Sequence, residues 1–167
     1  KDDGLTSLPP GHHTIALVPS VFIGQFPPGY SATQVLDAVR QVGFDEVFEV
    51  EHAVDFMKRA YSAYAESHST RPLISSYCPA VVRLIQVQYP ALTGQIMRLK
   101  APHDIASLFL RKSKEEKGES TEKISIYYIT PCAAKSVAAS APVGEEKSLI
   151  DGTVNMPTVF NLASSTL

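Results

Sequence analysis

Cysteine is scarce in this chain: its 167 residues contain two, Cys78 and Cys132. That is too few for the disulfide framework of a small secreted protein. They also lie too far apart in sequence for a local CxxC metal knuckle. Charge of one sign is equally short. A net charge of −2 supplies no clustered basic surface of the kind phosphate backbones require, which argues against nucleic acid as a partner. Long apolar runs are missing too, since none approaches the roughly 18 residues of a membrane span. The longest, Thr14 to Ile23, is split by Pro19 and follows no signal-peptide pattern. There is no GxGxxG, Walker loop or HExxH, so the classes built on those motifs lose support. No internal repeat and no interdomain linker is visible. The chain opens at Lys1 without a methionine, which is expected of a processed piece or a fragment of a longer protein.

What is present is the composition of a globular chain, 44% hydrophobic and 19% charged, long enough to bury a core as one domain over residues 1–167. Thr14 to Val18 reads as a buried strand, followed by a Pro/Gly-rich loop. Ser31 and Gln34 form a capping box for a helix whose Val35, Leu36, Val39 and Val42 keep helical spacing until Gly43. Asp45 to Val50 is a second strand, and Glu51 to about His68 a helix with Val54, Met57, Tyr61 and Tyr64 along one side. Leu73 to Ser76 is expected as a third strand, leading to Cys78 and a helix that starts at Pro79 and ends before Pro90. A further helix starts near Pro102, and Arg111 to Lys123, mixed in sign, reads as a solvated loop or helix end. Lys123 to Ile129 is the fourth strand, then a polar loop to Glu146, a weaker extended piece at Leu149–Val154 and a helix from Pro157. Alternating strands and helices predict an α/β fold, a mostly parallel sheet with helices on both faces.

Both cysteines follow a short apolar β-like run and touch a proline, in PLISSYCP and ISIYYITPCAAK. α/β folds place their chemistry at such strand ends. Cys78 precedes a helix amino terminus, where backbone N–H groups and the helix dipole favour a thiolate. This suits a nucleophile, a metal ligand, or a cysteine packed as a small hydrophobe. A phosphatase-type loop is discounted because Arg83 falls at the wrong spacing. Lys135, three residues after Cys132, suits a bound anionic group. The five histidines, His12, His13, His52, His68 and His103, show no ligand spacing and read as surface or satisfied core residues. Asp55, after a strand end, is expected to cap a helix.

Taken together, PLISSYCPAVVRLIQVQYP and ITPCAAK resemble two of the three signature motifs of the iron-only (di-iron) hydrogenases. The family pattern is an apolar strand, Thr-Ser-Cys-Cys-Pro and a helix, with Met-Pro-Cys-x-x-Lys further along. QVGFDEVFEVEHAVD, LKAPHDI and SLIDGTVNMPTVFNL resemble the flanking stretches, so the likeness covers about residues 14 to 165. The resemblance implies that Cys78 and Cys132 are ligands of a 4Fe-4S cubane, linked in the family to a di-iron unit. It implies that Lys135 contacts a cyanide of that unit, with Ser76, Pro79 and Pro131 shaping the cofactor pocket. Soft thiolates suit such ligation.

The departures are as informative. Tyr77 stands where the family has its proton-relay cysteine, and a phenol with pKa near ~10 moves protons poorly at neutral pH. Thr130 replaces a methionine, Ala80-Val81 replace Gly-Trp, and no third motif follows. The cluster is therefore expected to be incomplete or absent in this fragment, with no catalytic residue retained. The resemblance then implies a sensory or regulatory member of the family, cytoplasmic, whose partners are further iron–sulfur or signalling domains of the same protein. The wording DGTVNMP, where catalytic relatives tend toward Thr-x-Glu-Leu, points the same way. The alternatives are a genuine hydrogenase slowed by Tyr77, an iron–sulfur assembly-type scaffold, and an interaction domain with two reduced core cysteines. The two sulfurs are expected on one side of the sheet.

Overall fold

The computed structural model describes residues 4–142 and 147–167, so Lys1 and the stretch of the polar loop that ends at Glu146 lie outside the described residues. Four parallel strands form one sheet in the order β2-β1-β3-β4: β1 (His13–Val18), β2 (Glu46–Glu49), β3 (Ile124–Thr130) and β4 (Gly152–Asn155). The central pair is apolar because both of its faces are covered, as parallel sheets require. Ala16 and Val18 of β1 and Tyr127 and Ile129 of β3 pack on one face against Val35 and Val39 of α2 (Ala32–Gln41) and Val159 of α7 (Met156–Ser164). Ile15 and Leu17 with Ile124, Ile126 and Tyr128 pack on the other face against Ala106 and Leu110 of α5 (Pro102–Glu116). Every residue of β3 is buried.

Local chemistry fixes the ends of these elements. The capping box is formed, with Ser31 Oγ accepting from the Gln34 N–H and Gln34 Oε1 accepting from the Ser31 N–H. Gly43, at φ +133°, then turns the chain out of α2 in a conformation that side chains disfavour. The turn is held where Asp45 Oδ2 accepts from the Thr14 N–H at 2.7 Å and the Thr14 hydroxyl at 2.8 Å, joining β2 to β1 at its start. These two bonds hold the Asp45 carboxyl below its ordinary range. A one-turn helix, α1 (Ser20–Ile23), puts Phe22 into the core after β1. Gly152 lets β4 approach β3, since a Cβ there would lie 2.7 Å from the Tyr127 ring.

Three expectations are corrected. Leu73–Ser76 is not a sheet strand. It makes one isolated bridge, Ile74 to Ile96, because the segment is short, opens after Pro72 and turns into α4 (Pro79–Gln88) before a ladder can extend. The fourth strand of the sheet is the weaker extended piece near the carboxyl end of the chain. The loop expected after β3 begins with α6 (Ala133–Ser140), whose alanines favour helix even in so short a run. The charged stretch is only partly solvated. Lys114 Nζ reaches Glu46 at 3.0 Å and Glu119 at 3.2 Å, and Arg111 pairs with Asp151 at 2.6 Å. Burial alone would push the Glu46 carboxyl up, but hydrogen bonds from His13 and Lys114 outweigh it and hold it below its ordinary value.

The helix expected from Glu51 is a 3₁₀ turn, Val50–Ala53, running into α3 (Val54–Ser67), with Met57 its buried residue. α3, α4 and a further 3₁₀ turn (Pro90–Gln95) contribute none of the described residues of the two apolar clusters that cover the central strands.

Replacing Ile126, fully buried in the central strand, with alanine should cost about 2–5 kcal/mol in urea unfolding. A loss below about 1 kcal/mol would mean that β3 is not the centre of the core.

Candidate functional site

Both cysteines stand at the N-cap of a helix, Cys78 at α4 and Cys132 at α6. Each carbonyl starts its helix: Cys78 accepts from the Val82 N–H at 3.0 Å, and Cys132 from the Lys135 and Ser136 N–H groups at 3.1 Å. Neither sulfur takes a capping hydrogen bond, and both thiols are free, Cys78 exposed and Cys132 partly buried. The approach to Cys132 is braced by Thr130, whose Oγ1 accepts from the Cys132 N–H at 3.2 Å, with Pro131 exposed between them. That bond gives the threonine at the methionine position a structural role.

α4 and α6 pack on each other, and their first turns border one cavity of about 690 Å³. Ser76, Tyr77 and Pro79 line it from the α4 side, and Lys135 from α6. Ser76 is committed structurally, its hydroxyl donating to the Leu99 carbonyl at 2.6 Å. Of the seven residues that the resemblance singles out (Ser76, Tyr77, Cys78, Pro79, Pro131, Cys132 and Lys135), four line the cavity. The thiols and Pro131 stand beside it rather than in its lining.

Tyr77 commits its hydroxyl to a neighbour outside the lining. Its hydroxyl donates to Met57 Sδ at 3.5 Å, and its ring meets Tyr61 edge-on at 5.3 Å between centroids. Burial, reinforced by Tyr61, pushes the phenol well above its ordinary pKa, so it keeps its proton at neutral pH.

The residue that sequence reading missed is His103. It belongs to the inward stripe of α5 with Ala106 and Leu110, and its ring stacks on Tyr128 at 4.6 Å and 7°. Lys135 Nζ lies 5.4 Å from the centroid of the same Tyr128 ring. Burial first, and then the Lys135 charge, push the imidazole down to about 4, so it is neutral in the cavity wall. The usable signal was periodicity, because His103, Ala106 and Leu110 share a helical face. The other four histidines sit outside this cavity: His12 against Ser125, His13 against Glu46, His52 against Phe48 and His68 on Tyr64. Asp55 lies in the first turn of α3 without capping it, near Lys58 at 3.4 Å.

As a donor set for iron, the two free thiols fit two corners of a four-ligand cubane. Among the described residues no group of three or more His, Cys, Asp or Glu side chains is placed to hold a metal ion. No helix among them is long and apolar enough to cross a membrane.

The sheet topology defines an α/β domain, with two free thiols at helix starts beside a cavity. A profile of the iron only hydrogenase large subunit, C-terminal domain, matches residues 12–161, and the chain belongs to that family. It is 27% identical over 154 residues to Iron hydrogenase 1 of Clostridium pasteurianum, a match covering 86% of this chain and 27% of that protein. With the NADP-reducing hydrogenase subunit HndD of Solidesulfovibrio fructosivorans it shares 26% identity over 127 residues, covering 69% of this chain and 22% of the subunit. A variant of [FeFe]-hydrogenase HydA1 from Chlamydomonas reinhardtii superimposes with a TM-score of 0.72 at 18% identity, over 98% of this chain and 46% of that structure. The chain therefore spans about a quarter of the curated relatives and less than half of the solved fold.

The neutral histidine has a stability consequence. The unfolded chain binds a proton at His103 from about pH 6.5 downward, whereas the folded chain resists it until about pH 4. Stability is therefore unaffected above pH 6.5, and about 3 kcal/mol is lost as pH falls to about 4. Urea unfolding at pH 7 and pH 4.5 should show His103→Gln gaining about 2 kcal/mol on the unaltered chain at the acid end. A constant difference between the two proteins would contradict a neutral buried imidazole.

Proposed function

We propose that this chain is an iron–sulfur cluster-binding domain of the iron-only hydrogenase type, acting as a hydrogen- or redox-sensing module rather than a fast hydrogenase. The observation that carries the reading is the pair of free cysteines at the starts of α4 and α6, whose first turns border one cavity. In this reading Cys78 and Cys132 give two thiolates to a 4Fe-4S cubane, and the remaining ligands come from outside these 167 residues. When bound, the cluster supplies one-electron redox chemistry. Lys135 attracts the anionic part of the cofactor from the cavity wall, while Ser76 and Pro79 fix the shape of the wall around it. Pro131 and Thr130 set the approach to Cys132.

The regulatory part of the reading is supported by Tyr77. A phenol that donates to a thioether and holds its proton firmly does not replace a thiol in moving protons. The signal would then pass to further iron–sulfur or signalling domains of the same cytoplasmic protein. The names of the relatives, both hydrogenases, favour a second reading in which the complete protein turns over H₂.

Anaerobic reconstitution of the full natural polypeptide with iron and sulfide should give the EPR signal of a reduced cubane, and Cys78→Ser or Cys132→Ser should abolish it. An unchanged signal in both variants ends the ligand assignment. H₂ turnover separates the two readings. It should be slow in the unaltered protein and rise at least ~100-fold in Tyr77→Cys, the typical contribution of a positioned proton carrier. Fast turnover with Tyr77 in place would favour the enzyme.

A further inference from the structure

His103 is unused by the reading above, although it lies in the same cavity wall. Its side chain is only 14% exposed, and one flank is sealed by the Tyr128 ring. Lys135 from α6 shares that ring, so an imidazole and an ammonium are held against one aromatic plate. The other groups around the imidazole are Asp104 on its own helix, whose Oδ1 is 3.8 Å from Nε2, and Arg98, Lys100 and Tyr77 elsewhere in the lining. The Asp104 contact is too long for a hydrogen bond. Tyr77 has turned its hydroxyl to Met57, whereas the His103 imidazole in the same lining keeps a ring nitrogen that can accept a proton.

Two effects keep that atom unprotonated, burial and the nearby ammonium. An anion entering beside Lys135 opposes both. It screens the ammonium and offers the imidazolium a counter-charge in a partly desolvated space. Anion and proton therefore favour each other, and the coupling is reciprocal. We propose that the cavity takes up a small anion together with one proton, and that His103 holds the proton. The proton comes from solvent and bonds to the lone-pair nitrogen of the ring. The anion gains no covalent bond, and the pair enters with no net change in cavity charge. This deepens the cofactor reading by naming the residue that would carry a proton beside an anionic group, the role that Tyr77 does not fill.

The test uses the 167-residue chain and thiocyanate as the anion. Histidine-labelled NMR should show the His103 half-titration, near pH 4 in the free protein, rising by at least one unit at saturating thiocyanate. Calorimetry at pH 5 in two buffers of different ionisation enthalpy should then report uptake of about 0.4 proton per anion bound. His103→Gln should retain thiocyanate binding and lose the proton uptake. Lys135→Gln should weaken the anion and raise the free His103 titration, and this comparison stays informative even where acid destabilises the protein. Thiocyanate that binds without moving His103, or that fails to bind, overturns the proposal. Cys78→Ser and Cys132→Ser should leave the coupling intact, so failure of the cluster assignment and failure of this one are separable.

Discussion

The burial of β3 on both faces is the constraint from which the rest of the molecule follows. A parallel strand with helices above and below cannot tolerate an unpaired polar side chain along its length. Its register to β1 and β4 satisfies the backbone, and its alternating side chains feed two separate clusters. Its two buried aliphatic hydroxyls, on Ser125 and Thr130, are placed near its ends. Ser125 meets His12 at the start, and Thr130 braces the turn into Cys132 at the finish. Chemistry is therefore pushed off the strand and onto whatever follows its carboxyl end.

Tyr128 is where the core gives way to the site. It is buried with Ile126 and Leu110 in the second cluster, yet its ring also carries the imidazole of His103 and lies under the ammonium of Lys135. An aromatic plate of this kind orders two polar groups without spending a hydrogen bond on either. It also ties α5 and α6 to the same strand, so the spacing of His103 and Lys135 is inherited from the packing of the sheet. The site is rigid on this wall because the core is rigid there.

The sheet's central strands, the capping box, Gly43 and the proline-started helices were legible in the sequence, because each rests on local rules of periodicity and capping. The misread strand at Leu73–Ser76 has the right composition but no neighbour in the sheet, and pairing partners are a tertiary fact that composition does not carry. β4 had the opposite fate. GTVN is a weak strand by propensity, and it forms because Gly152 lets it close on Tyr127. In the site, motif spacing located Cys78, Cys132, Lys135 and their neighbours. His103 stayed hidden because its meaning comes from what it stacks on, and Tyr128 lies on a distant element.

The contrast between Tyr77 and His103 follows from how each is held. Tyr77 precedes Cys78 on a segment outside the sheet, where its hydroxyl donates to the buried Met57 and its ring meets the Tyr61 edge. Burial there raises the cost of losing the phenolic proton, so the phenol stays protonated at neutral pH. His103 is buried too, but its ionisation runs the other way: desolvation and Lys135 strip its proton and leave an open base. The same physical term thus closes one residue and opens the other. A cavity wall with a firmly protonated phenol at one side and a neutral imidazole at the other can still hold a proton when an anion arrives, although it lacks the thiol expected beside Cys78. In the reading proposed above, such a wall couples the charge on His103 to what occupies the cavity.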